Sequence, residues 1–113
     1  MVAAFTHLSA DLSGVRSEQL RDRALVGGLT IAAVSGAGLS PVAPLSVHER
    51  PDGGFTLVLL LEPGHFVVHA MPERERLLVD ALTLAGQDAR KAVDVFARRL
   101  APSDVHTEKR GVG

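Results

Sequence analysis

The 113-residue sequence contains no cysteine, tryptophan or tyrosine and only four phenylalanines. Without cysteine the chain has no disulfide framework, no thiolate metal site and no cysteine nucleophile. So few aromatic side chains cannot build the stacking platforms on which proteins hold single-stranded nucleic acid. These absences exclude a disulfide scaffold and argue against a nucleic-acid partner.

The sequence also lacks an excess of either charge and any long apolar run. Twelve basic and thirteen acidic residues give a net charge of -1, which offers no electrostatic attraction to nucleic acid or to a membrane surface. The first ten residues lack the basic and apolar regions of a secretory signal. No apolar stretch reaches the roughly 18 residues of a membrane span. We therefore expect one cytoplasmic domain over residues 1–113, because a chain of this length builds a single core.

Apolar periodicity predicts the element order β-α-β-β-β-β-α-β. The predicted strands cover residues 5–12, 42–49, 55–62, 65–70, 77–84 and 104–109, and the predicted helices cover 17–36 and 89–100. A turn is expected at 71–74. The segment Arg50-Pro51-Asp52-Gly53-Gly54 predicts a hairpin, because proline presets φ and glycine accepts a positive φ. The expected fold class is α+β, a two-layer α/β sandwich whose antiparallel sheet has two helices on one face.

The strand predicted at 55–62 is apolar on both faces. Leu57, Leu59 and Leu61 alternate with Val58 and Leu60. Two helices can cover only one face of the sheet, so the other apolar set would remain in water. We therefore expect a dimer that forms through the sheet.

The most informative stretch of the chain spans residues 61–73. It reads Leu61-Glu62-Pro63-Gly64-His65-Phe66-Val67-Val68-His69-Ala70-Met71-Pro72-Glu73, and Val79-Asp80-Ala81-Leu82-Thr83 follows. It resembles the small prokaryotic, pyruvoyl-type S-adenosylmethionine decarboxylases, whose pattern is Glu-Ser-His-x-x-x-His-Thr-Trp-Pro-Glu and then Val-Asp-x-Phe-Thr-Cys-Gly. Residues 5–14 and 46–50 resemble that family's opening strand and its Ser-Phe-His-Arg-Phe segment. The resemblance covers most of the chain.

In that family the serine is cut to become a pyruvoyl group and the cysteine donates a proton. An ungapped match places Gly64 at the serine position and Leu84 at the cysteine position. The acyl shift that forms pyruvoyl needs a hydroxyl or a thiol, and Gly64 has neither. Leu84 has no proton to donate, and Thr83 beside it faces the other way on a strand. We therefore expect neither self-cleavage nor a pyruvoyl cofactor, and Pro63 is a further obstacle.

The resemblance also implies roles for residues that remain. His69 matches the histidine that assists processing, and Glu73 matches an acidic residue that contacts the substrate. Arg50 and Met71 occupy the positions of two aromatics that grip adenine, so recognition of S-adenosylmethionine is expected to be weakened.

Two histidines near these positions have two interpretations. His65 and His69 share one strand face and could line a pocket together with His7. Alternatively, these histidines are polar residues with ordinary hydrogen-bond partners. The rise of a strand separates His65 from His69 by roughly 13 Å, so no metal site is expected.

Two functional classes follow. The first is a catalytically degenerate homologue linked to polyamine (spermidine) biosynthesis, a ligand-binding or regulatory subunit for a small cation such as S-adenosylmethionine or a polyamine. It would form a homodimer or pair with an active paralogue. The alternative is a divergent active decarboxylase of S-adenosylmethionine or a related amino acid. Residue chemistry favours the first class and family resemblance favours the second, so the sequence alone leaves enzymatic activity open.

Overall fold

The computed structural model describes residues 2–113, which form a six-stranded antiparallel sheet with helices packed on one face. The strand order is β2-β3-β4-β5-β1-β6. The strands are β1 (Phe5–Ser13), β2 (Ser46–Glu49), β3 (Phe55–Leu61), β4 (Gly64–Met71), β5 (Arg76–Leu84) and β6 (Asp104–Val112). The helices are α1 (Ser17–Leu20), α2 (Arg23–Gly36) and α3 (Arg90–Leu100), with a 3-10 turn at Pro72–Arg74. The predicted fold class is confirmed.

The core lies between the helices and one face of the sheet. Leu57 and Leu59 of β3 and Val68 of β4 are almost fully buried there, in register with the strand alternation. Phe66 of β4 stacks on Phe96 of α3, with ring centroids 6.3 Å apart and an interplanar angle of 8°. Both rings are fully buried. This contact fixes α3 against the back of β4, the strand that carries two of the candidate site histidines on its front.

The helix predicted over residues 17–36 is divided in two. The chain leaves helical geometry at Asp22, whose φ of -86° and ψ of 92° are extended, and the Asp22 carboxylate accepts a hydrogen bond from the backbone N–H of Leu25 at 3.0 Å. Aspartate favours this capping position because its side chain satisfies an N–H that the helix leaves unpaired. Residues 2–113 therefore contain three α-helices where two were predicted. None of the helices within residues 2–113 is long and apolar enough to cross a lipid bilayer.

Two strand boundaries also differ from the prediction. The strand expected at 42–49 is regular only over Ser46–Glu49, and Pro41 makes a single bridge to Leu61. Pro44 interrupts the segment because proline has no backbone N–H to donate to a ladder. At the other end of the chain β6 continues to Val112, which pairs with Phe5 of β1.

The predicted hairpin between β2 and β3 is confirmed. The backbone N–H of Arg50 donates to the Gly54 carbonyl at 2.8 Å, and Gly53 has a φ of +84°. This turn brings β2 to the edge of the sheet and places Arg50 beside β3.

Candidate functional site

The face of the sheet that the helices leave open carries every histidine of the chain. Strand register aligns one residue from each strand in a single row across this face, in the order His48, Thr56, His69, Leu78, Asp11 and His106. His7 and His65 lie in a parallel row, on either side of Leu82. The open face is therefore where the histidines of the candidate site lie.

Asp80 joins two of the predicted site histidines. Its Oδ1 atom is 2.8 Å from Nε2 of His7 on β1 and 3.4 Å from Nε2 of His65 on β4. A carboxylate accepts hydrogen bonds, so each imidazole carries a proton on Nε2 when it donates to Asp80. The three side chains are between 29% and 47% exposed, which leaves them accessible to a ligand.

His69 belongs to a separate chain of hydrogen bonds. Arg50 Nη1 donates to the hydroxyl of Thr56 at 2.9 Å, and that hydroxyl is 2.9 Å from Nδ1 of His69. Since the Thr56 oxygen accepts from Arg50, its own hydrogen is free to donate to Nδ1. When Nδ1 accepts this hydrogen, neutral His69 carries its proton on Nε2.

The same Arg50 side chain also donates through Nη2 to the carbonyl oxygen of Ala70. Gly54 makes this approach possible, because a Cβ at that position would lie 2.5 Å from the Ala70 carbonyl oxygen. The guanidinium is thus held against the hairpin and β4.

The electrostatic environment favours neutral His69. Burial has the largest effect and lowers the pKa of His69 below its ordinary value of 6.5. The positive charge of Arg50 lowers the pKa further, and the negative charge of Asp80 opposes both effects. These effects together favour the neutral imidazole of His69 over the cation.

Gly64 and Leu84 lie together at one end of β4 and β5. Gly64 has a φ of +115°, and an ideal Cβ there would overlap the carbonyl oxygen of Leu82 and lie 2.9 Å from its carbonyl carbon. Leu84 is 40% exposed and apolar. Thr83 between them is fully buried, and its hydroxyl has no hydrogen-bond partner within residues 2–113. A pyruvoyl group does not fit this end of the site, because residue 64 supplies no side-chain atom and no space for one.

The remaining predicted residues lie at the other end of β4. Met71 and Glu73 line a cavity of about 430 Å³ together with Asp52 and Arg74. Gly64 and Met71 are the first and last residues of β4, so the strand rise separates them by roughly 23 Å. One chain therefore does not bring all the predicted residues into a single pocket.

A second cavity, of about 350 Å³, occupies the middle of the open face. Its lining side chains include His69, Asp80, Asp11, His106 and Glu108. No group of three or more His, Asp or Glu side chains in the described part of the chain could hold a metal ion.

Two residues that matter for His69 were missed from the sequence. Thr56 is thirteen positions away from His69, and the two meet only through the β3–β4 register. The sequence pattern places Gly54 in the turn alone, although its lack of a Cβ also lets Arg50 reach the Ala70 carbonyl. The available signal for Thr56 was the short connection between the strands predicted at 55–62 and 65–70. A short hairpin connection fixes which residues of the two strands face each other.

Comparison with known proteins identifies the class. The family model described as S-adenosylmethionine decarboxylase matches residues 6–111. The S-adenosylmethionine decarboxylase proenzyme of Sulfurihydrogenibium sp. is 33% identical over 109 residues, which cover 94% of this chain and 81% of that protein. The proenzyme of Persephonella marina is 32% identical over 100 residues, covering 88% and 74%.

A solved structure supports the same assignment. The crystal structure of the adenosylmethionine decarboxylase from Aquifex aeolicus matches with a TM-score of 0.88 and 26% identity, covering 100% of this chain and 93% of that one. The chain belongs to the S-adenosylmethionine decarboxylase family. The family is pyruvoyl-dependent and forms its pyruvoyl group by self-processing.

Proposed function

We propose that this protein is a member of the S-adenosylmethionine decarboxylase family whose chain stays uncut and which serves polyamine biosynthesis as a non-catalytic, ligand-binding or regulatory subunit. The observation that carries the proposal is the absence of any side chain at Gly64. The peptide between Pro63 and Gly64 has no adjacent hydroxyl or thiol to attack it, so the bond cannot rearrange to an ester or thioester. Leu84 likewise offers no proton to a substrate.

The cavity beside Glu73 supports a cationic ligand. Asp52, Glu73 and Arg74 line it, and Asp52 is already paired with Arg50 at 3.8 Å, so Glu73 is the carboxylate left for a cation. An amine or sulfonium would gain Coulomb attraction there. Arg50 stands where the family has an aromatic, and its guanidinium edge donates to Thr56 and Ala70. Loss of base stacking costs on the order of 1–3 kcal/mol, or roughly ten- to a hundred-fold in affinity.

The open face supports a protein partner. Leu60 and Leu84 are 50% and 40% exposed on it, and Val58 and Val67 are partly exposed. A second copy of this chain or an active paralogue would cover this apolar surface. Sedimentation at micromolar concentration is expected to give a dimer, and a well-behaved monomer would contradict this part of the proposal.

Intact-mass spectrometry tests the central claim. The purified protein is expected to have the mass of the whole chain. Two fragments separated between Pro63 and Gly64, the second with a blocked amino terminus, would overturn the proposal. Release of carbon dioxide from S-adenosylmethionine would establish the alternative of a divergent decarboxylase.

Calorimetric titration tests the ligand. S-adenosylmethionine, its decarboxylated product, putrescine and spermidine are the probes, and binding without turnover is expected for at least one of them. Glu73→Gln should weaken that binding, whereas Glu75→Gln should leave it unchanged, because Glu75 does not line the cavity. If none of the four probes gives heat, the ligand-binding role is wrong and a purely protein-binding role remains.

A further inference from the structure

The pairing of β4 with β5 closes the position that a processing nucleophile would need. The first residue of β4, Gly64, approaches the β5 backbone so closely that an added Cβ would overlap the carbonyl oxygen of Leu82. The same Cβ would lie 3.6 Å from the backbone nitrogen of Thr83. The obstacle is main chain rather than the flexible end of a side chain, so no rotamer change relieves it.

The β5 backbone at this point cannot easily withdraw. β5 lies inside the sheet, and Leu82 pairs with His65 of β4 on one side and with His7 of β1 on the other. Moving the Leu82 carbonyl away from Gly64 would disturb both ladders at once. The φ of +115° at Gly64 adds a second cost, because residues with a side chain rarely adopt it.

We infer that Gly64 is a structural requirement of the uncut chain, so that restoring a serine at 64 and a cysteine at 84 would destabilise the sheet without restoring self-processing. This inference rests on the proposed function for the statement that the native chain is uncut. Its steric part stands on the Gly64–Leu82 geometry alone. The loss of pyruvoyl chemistry is then fixed by the backbone of β4 and β5 and not only by two missing side chains.

Other glycines of the chain provide matched controls. Gly86 lies two residues after the end of β5, and a Cβ added there would meet no atom within 4 Å. Gly28, in α2, is equally free of neighbours, but alanine there would also change helix propensity. Gly86→Ala is therefore the better control for the addition of a methyl group near the end of β5.

Thermal unfolding and intact mass of four variants test the inference: Gly64→Ala, Gly64→Ser, Gly64→Ser with Leu84→Cys, and Gly86→Ala. We expect the three Gly64 variants to lose about 10 °C or more in melting temperature, because overpacking and backbone strain act together. Gly86→Ala should stay within about 3 °C of the parent protein. Every variant should have the mass of an uncut chain.

Two results would contradict the inference. If Gly64→Ser and Gly86→Ala melt alike, position 64 has room and the inference is wrong. Cleavage of the double variant would also overturn it. Insolubility of the Gly64 variants beside soluble Gly86→Ala would support it as the extreme form of the same loss. Cleavage of the native chain would refute the proposed function, while the melting of Gly64→Ala would still decide the steric question.

Discussion

Arg50 offers the sharpest test of how the open face is held together. Its guanidinium donates to Thr56 and to the Ala70 carbonyl, and its side chain is only 23% exposed. We expect Arg50→Met to remove both hydrogen bonds while keeping most of the apolar stem. The charge that lowers the pKa of His69 would disappear at the same time.

The magnitude follows from the two lost hydrogen bonds. Hydrogen bonds that involve a charged group contribute roughly 1.5–3 kcal/mol each, and the gain from no longer desolvating the guanidinium offsets part of the loss. A net cost of about 2–3 kcal/mol is expected, which corresponds to about 10 °C or more in melting temperature for a domain of this size. Thr56→Val removes the hydrogen bonds of the Thr56 hydroxyl but keeps the one from Arg50 to the Ala70 carbonyl. It should therefore lower the free energy of unfolding by less than Arg50→Met does.

The pH dependence has a definite sign. The folded state lowers the pKa of His69 below 6.5, so the unfolded chain binds this proton at a higher pH than the folded chain does. Stability from this residue is therefore complete above pH 6.5 and declines as the pH falls from 6.5 through the lowered folded-state pKa. In Arg50→Met the pKa of His69 should rise toward its ordinary value. The loss of stability that His69 causes at acidic pH should then become smaller.

NMR titration of the imidazole C–H signals and thermal unfolding between pH 5 and 8 are the measurements. Arg98→Met is the matched control, because Arg98 is exposed on α3, away from the open face. Unchanged titration of His69 in Arg50→Met, or equal melting temperatures for the two arginine variants, would refute the role given to Arg50.

Three further variants test the fold that supports the site. Phe66→Ala should cost about 3–5 kcal/mol because it empties the stack on Phe96, and a loss under about 1 kcal/mol in urea unfolding would contradict that packing. Asp22→Ala should cost about 1 kcal/mol while Asp22→Asn, which can still cap α2, costs less; equal melting of the two would argue against the cap. Thr83→Val should raise the melting temperature by removing a buried hydroxyl without a partner in residues 2–113, and a fall would mean that the hydroxyl is satisfied.

The strands were predictable where burial alternates along them. In β3 and β4 every second residue is buried, so periodicity alone indicates the strand and its core face. The first helix was predicted as one element because its apolar stripe continues past Asp22. The break depends on the Asp22 carboxylate that caps α2. One capping residue within a continuous apolar pattern is a weak sequence signal for the end of a helix.

The strand face on which the candidate histidines lie was predictable from the sequence, but their contacts were not. The strand period correctly placed His65 and His69 on one face. It could not indicate that His65 pairs with His7 through Asp80 while His69 pairs with Thr56, because these partners come from three other strands. Strand order and register determine such contacts, and both arise from long-range pairing that a local pattern does not contain.

The Gly64 end of the open face and the middle of that face differ in the chemistry that their side chains allow. At the Gly64 end the chain has neither a reactive side chain nor space for one beside Leu82. In the middle, the Asp80 carboxylate still holds two imidazoles, and Thr56 still orients a third. Partly buried polar groups remain favourable only when they are hydrogen-bonded, and these groups are. A surface that keeps its binding groups in order and closes its reacting position is suited to recognition without turnover, which is the role proposed for this protein.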